Sequence, residues 1–169
     1  VTGRRITRRQ YKIELNRPTT LRLDYPVEVD GKTYPCSYVE LGDPGLPHAV
    51  VPIPGLRGRP EAELFALGRK LRAHPAFPKG ANVNFYERIG DDHLYERTFE
   101  RGVEDFTLAC GTGTGATVAA LARLGLVSGS GTQVQTDGGM LSVDLDGEDI
   151  DLTGPAELTF TGDLPELPA

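Results

Sequence analysis

One thiol in this chain stands where a thiol can act as a base. Cys110 lies in Leu108-Ala109-Cys110-Gly111-Thr112-Gly113-Thr114-Gly115-Ala116, immediately before a run of small residues that opens into an apolar helical pattern. Backbone N–H groups in a first helical turn have no carbonyl one turn back to accept them, and they carry the positive end of the helix dipole. They therefore bind anions such as carboxylates. The same field favours a thiolate. Glycines at 111, 113 and 115 remove Cβ atoms, which would let a substrate come close to the backbone. A thiolate beside a carboxylate-binding turn suits removal of the α-proton of an amino acid. Two plainer readings compete. An isolated Cys-Gly pair more often marks a small buried residue before a helix, and a glycine-rich turn can cradle phosphate, although this one lacks the Lys of a Walker loop and the spacing of a dinucleotide fingerprint. The second cysteine, Cys36, sits in Tyr34-Pro35-Cys36-Ser37-Tyr38, which reads as strand, and is expected to be a buried structural thiol.

The elements that must hold Cys110 follow from periodicity. From Gly111 to Gly125 small residues give way to Val118, Leu121 and Leu124, with Gly125 as a C-terminal cap. A second helix is expected from Glu61 to Ala73, where Leu64, Phe65, Leu67 and Leu71 form an apolar stripe despite Gly68. Alternation predicts strands over Tyr11 to Leu23, Val27 to Tyr34, Ser37 to Leu41, Ala49 to Ile53, Asn82 to Ile89, Leu94 to Glu100, Thr132 to Thr136, Met140 to Leu145 and Leu158 to Phe160. Turns are expected at Asp30-Gly31, Asp91-Asp92, Gly138-Gly139 and Asp146-Gly147, and the stretch Gly42 to His48 reads as a loop. The sum is a strand-rich α+β pattern in one domain.

Composition bounds the partners. In 169 residues, 38% hydrophobic and 25% charged, no run approaches a membrane span. A net charge of −6 argues against nucleic acid and anionic membrane, and the local cluster Arg4, Arg5, Arg8 and Arg9 reads as a solvated turn. Two widely separated cysteines give neither a metal spacing nor a disulfide framework, so a reduced, cytoplasmic setting is the expectation. The start Val1-Thr2-Gly3 has no initiator Met and no apolar leader, which predicts a beginning within a longer protein.

Glu100-Arg101-Gly102 followed by Leu108-Ala109-Cys110-Gly111-Thr112-Gly113 resembles the second active-site signature of diaminopimelate epimerases. Leu46-Pro47-His48-Ala49-Val50 resembles that family's Gly-Asn-Pro-His loop, Ala81-Asn82-Val83-Asn84-Phe85 its Asn-Val strand, and Leu152-Thr153-Gly154-Pro155-Ala156 its closing strand, all in family order. The Cys-Gly-Thr-Gly motif by itself is shared with proline racemase relatives. The resemblance implies a curved mixed sheet around a central helix, and a cofactor-independent, metal-free isomerase that interconverts LL- and meso-diaminopimelate in lysine biosynthesis. Two thiols would face the α-carbon from opposite sides, Cys110 being one. Gly111 and Thr112 would bind the reacting carboxylate through backbone N–H groups, Asn82 and Arg101 would bind polar groups of the substrate, and Glu100 and His48 would assist at the reacting end.

Departures from the family pattern are equally specific. The signature that carries the other thiol is absent from this sequence, so the expected partner is a missing N-terminal domain, with a homodimer as a further expectation. Leu46 stands where the family loop often has an Asn. The spacer Val103-Glu104-Asp105-Phe106-Thr107 is longer than usual and places Phe106 in a polar stretch. Competing readings are a proline or hydroxyproline racemase and a non-catalytic carboxylate-binding domain. Arg101 favours diaminopimelate, because a substrate with a second charged end gains from a guanidinium that grips a carboxylate with two hydrogen bonds.

Overall fold

The computed structural model describes residues 2–163. Eleven strands form one sheet: β1 (Gly3–Arg5), β2 (Gln10–Leu15), β3 (Pro18–Val29), β4 (Lys32–Leu41), β5 (Leu46–Pro52), β6 (Asn82–Gly90), β7 (His93–Glu100), β8 (Asp105–Thr107), β9 (Thr132–Thr136), β10 (Gly139–Asp146) and β11 (Asp149–Pro155). Among the described residues two α-helices join them, α1 (Glu61–Arg72) and α2 (Gly111–Arg123), with a short 3-10 turn at Leu56–Gly58 before α1. The sheet order is β1-β2-β11-β10-β9-β7-β6-β5-β4-β3, with β8 paired to β7 off this path. Among the described residues only β5 with β6 and β7 with β9 run parallel. Parallel neighbours need a crossover, and each crossover here holds one helix.

The crossovers place their helices on opposite faces. Alternate residues of β5 and β6 show it: Val50 and Tyr86 join the cluster around α2, whereas Ala49, Val51, Val83 and Phe85 join the cluster around α1. Helix α2 is buried at every residue from Gly113 to Leu121. Strands from both flanks of the sheet reach it: Leu15, Val39, Val134, Val143 and Ile150 all share its core. The sheet therefore curls around α2, as a helix apolar on all sides demands. Its Gly, Ala and Thr residues let strands approach closely, and complete burial of Val118 and Leu121 contributes about 1.5–3 kcal/mol each. Gly125, at φ 69°, ends α2. Its N–H bonds the Ala122 carbonyl and the Leu126 N–H reaches back to Leu121, satisfying two terminal carbonyls.

Helix α1 packs outside the curl through Leu64, Gly68 and Leu71. Gly68 is explained by packing, since a Cβ there would sit 2.9 Å from the Phe99 ring. The Asp30-Gly31 hairpin is confirmed, with φ values of 53° and 73°. Three expectations are corrected. Residues Leu46 to His48 belong to strand β5, not to a loop. Leu158 to Phe160 form no strand: the last strand ends at Pro155, and the Leu158 and Phe160 side chains are exposed with no core to pack on. The last two turns each fall one residue away from their expected places, over residues 137–138 and 147–148. Among the described residues no helix is long and apolar enough to cross a membrane.

Candidate functional site

Cys110 occupies the N-cap of α2 in extended conformation, with φ −126° and ψ 102°. Its carbonyl accepts the Thr114 N–H at 2.8 Å, which begins the helix. The amides of Gly111 and Thr112 follow in the first turn, where no preceding helical carbonyl exists to accept them, and both residues are half-buried. The thiol is half-buried as well, with Sγ 3.6 Å from the Thr112 hydroxyl. Burial pushes its pKa up to about 11, and the Glu100 and Glu96 carboxylates add to the rise, while the Thr112 hydroxyl and the Gly113 N–H pull it down. A thiolate favoured by the helix was the expectation from sequence. In this chain desolvation outweighs the helix terminus, and Cys110 rests as a neutral thiol.

The glycines also have a packing role. A Cβ on Gly113 would lie 2.1 Å from the Asn84 side-chain nitrogen, one on Gly115 would meet Leu15 at 2.6 Å, and one on Gly111 would meet Leu152 at 2.8 Å. They seat the helix start against β2, β6 and β11.

His48 and Asn82 are neighbours across the parallel β5–β6 pair. His48 is fully buried, and its Nδ1 lies 3.1 Å from Asn84 Oδ1. A carboxamide oxygen only accepts, so this contact is a hydrogen bond when Nδ1 carries the hydrogen. Nε2 has no hydrogen-bond partner among the described residues. Burial lowers the His48 pKa to about 4 against the raising effect of Asn84, and the Arg101 charge lowers it further. The ring is neutral at pH 7.

Asn82 holds the turn after β7: its Oδ1 accepts the Arg101 N–H at 2.9 Å, and its Nδ2 donates to the Pro47 carbonyl at 3.3 Å. One Nδ2 hydrogen remains for another acceptor. The Arg101 guanidinium donates to the Lys79 carbonyl at 2.7 Å. Glu100 does not pair with Arg101; its Oε1 accepts from the Thr107 hydroxyl at 2.6 Å. That contact depends on the long spacer, which folds back as β8 and registers Thr107 against Thr98 and Asp105 against Glu100. Phe106 anchors it edge-on to Phe99, with ring centroids 5.8 Å apart, and the Arg97 guanidinium lies over the Phe106 ring. The apolar residue in a polar spacer is thus explained.

Sequence reasoning missed a buried acid at the centre of this arrangement. Glu96, read only as a strand residue, is 1% exposed and accepts hydrogen bonds from Thr114 at 2.6 Å, Thr117 at 2.5 Å and Asn84 at 3.4 Å. Burial raises its pKa, opposed by those three donors. Cys36 is fully buried, and desolvation pushes its thiol up to about 12, in keeping with a structural residue. No group of three or more metal-ligating side chains occurs among the described residues.

Solved structures share the fold: a hydroxyproline epimerase from Agrobacterium vitis superposes with a TM-score of 0.63 over 86% of this chain and 50% of that one, at 20% identity. A probable proline racemase from Agrobacterium radiobacter K84 gives 0.60 over 90% of this chain and 54% of that one, at 19% identity. At such identities the likeness concerns fold alone. Sequence is more specific. The family model described as "Diaminopimelate epimerase" matches residues 42–159, and the chain belongs to that family. A diaminopimelate epimerase of Archaeoglobus fulgidus is 39% identical over 83% of this chain and 47% of its own length. One from Methanothrix thermoacetophila is 40% identical over 89% of this chain and 53% of its own length. The chain thus spans about half the length of these curated relatives.

Proposed function

We propose that this chain supplies one face of the active site of a diaminopimelate epimerase, with an N-terminal half carrying the opposing thiol. The observation that carries the reading is Cys110 at the N-cap of α2, next to two first-turn amides. In this reading the substrate's reacting carboxylate lies on the Gly111 and Thr112 N–H groups, where negative charge that develops on loss of the α-proton meets preorganised donors. As a neutral thiol, Cys110 delivers a proton to one face of the α-carbon while the opposing thiolate removes one from the other. The reverse reaction exchanges the two roles. His48 and Glu100 assist at the reacting end. Arg101, anchored on Lys79, and the free Asn82 N–H serve the polar groups of the distal end. No cofactor is required, because the electron sink is the array of donors.

The test follows α-proton exchange from LL-diaminopimelate in D2O. A full-length protein should epimerise it and lose nearly all activity on Cys110→Ala. The chain alone should not epimerise, and activity should return when the N-terminal half is added. Cys110-dependent epimerisation by the chain alone would refute the two-thiol mechanism. Absence of recovery on complementation, with carboxylate binding retained, would favour a binding domain, and exchange of proline or hydroxyproline instead would favour the racemase reading.

A further inference from the structure

Glu96 joins the helix that bears Cys110 to the histidine on β5. Thr114 and Thr117, three positions apart on α2, both donate to its carboxyl group, to Oε2 and Oε1 respectively. Oε1 also accepts from Asn84 Nδ2 at 3.4 Å, and Asn84 Oδ1 faces His48 Nδ1. All five side chains are buried, and no cation pairs with Glu96 among the described residues. The network thus contains a chain of donors and acceptors whose direction is fixed at one end.

We infer that Glu96 is a positioning residue which, through Asn84, holds His48 in the tautomer with hydrogen on Nδ1 and a lone pair on Nε2. The inference deepens the reading of His48 as a site residue and rests on it for its functional meaning. Oε1 receives two donors, Thr117 and Asn84. An ionised Glu96 only accepts, and a protonated one whose hydrogen is on Oε2 still accepts at Oε1. Asn84 must then turn its NH₂ toward Glu96 and its oxygen toward His48. Thr98, which also receives Asn84 Nδ2 at 2.9 Å, cannot decide the orientation, because a hydroxyl can donate or accept. The neutral ring with the opposite tautomer would place two acceptors face to face at Nδ1 and Oδ1. A lone pair on Nε2 suits the N–H of an ammonium group, whereas an Nε2–H would repel it.

The experiment is ¹⁵N NMR of histidine-labelled protein at neutral pH, with His48 assigned by the signals lost in His48→Gln. Protonated and bare imidazole nitrogens resonate far apart, so the tautomer is read directly. The wild type should show Nδ1 protonated and Nε2 bare. Glu96→Gln should keep that pattern, since its amide oxygen still accepts from Thr117 and Asn84. Glu96→Leu should shift population toward the Nε2–H form, because the Asn84 amide is then free to turn over. An unchanged His48 pattern in folded Glu96→Leu overturns the inference. If that variant does not fold, Asn84→Ala decides: retention of the Nδ1–H form there overturns it, and its loss supports it. No substrate is involved, so failure of the epimerase reading would leave the tautomer result standing, and the reverse also holds.

Discussion

His48 Nδ1 lies 3.1 Å from Asn84 Oδ1 inside a completely buried pair, so the imidazole is held neutral by its surroundings. A histidine whose folded pKa is about 4, against an ordinary 6.5, binds fewer protons folded than unfolded over that interval. Stability from this residue is therefore full above pH 6.5 and declines as pH falls toward 4, by about 3 kcal/mol in all. Denaturant unfolding of the wild type and His48→Gln at pH 7 and pH 4.5 checks it. The gap between them should narrow at the lower pH, and a constant gap would count against a neutral buried ring.

Cys110 should alkylate slowly at neutral pH. With its thiol near pKa 11, the rate with iodoacetamide should rise about tenfold per pH unit from 7 to 10. Cys36, fully buried, should react only after unfolding. A Cys110 rate that levels off by pH 8 would show instead that the helix terminus prevails over desolvation.

Gly113→Ala should destabilise the fold even though alanine is the better helix former. The new methyl would lie 2.1 Å from an Asn84 amide held by three partners, and overpacking of that kind costs about 1–3 kcal/mol. Thermal unfolding should show the loss. An unchanged or raised Tm would mean that Asn84 is free to move.

Asn82→Ala removes the acceptor of the Arg101 N–H and the donor to Pro47, so two backbone groups lose their partners at the end of β7 and the start of β5. The cost should be about 1–3 kcal/mol in chemical denaturation. An effect below a few tenths would indicate that water takes over both contacts.

What could be read from the sequence was local. The α2 pattern, its Gly125 cap and Cys110 at its mouth rest on short-range spacing, and so do α1 and the Asp30-Gly31 hairpin. His48 was misplaced because Pro47 signals a break; in fact proline sits at the second position of β5, near the strand start where it is tolerated. Glu96 gave no signal, because its partners come from β6 and α2 and meet only in the fold. The alternation at Leu158 to Phe160 misled because period-two patterning makes a strand only where one face is buried, and these two side chains are over 80% exposed. The thiol's raised pKa depends on desolvation by that same assembled surround, which no motif encodes.

The pairing of β2 with β11 sets the order in which this protein can be completed on the ribosome. Residues near position 13 pair on one side with β1 and on the other with residues near position 152, so the wall covering one side of α2 closes last. A nascent chain that has emerged through α2 but not through β11 leaves Leu15, Ala116 and Val118 without their full covering. Such a chain is a natural client for chaperones, and truncation before β11 should turn a stable domain into an aggregating one.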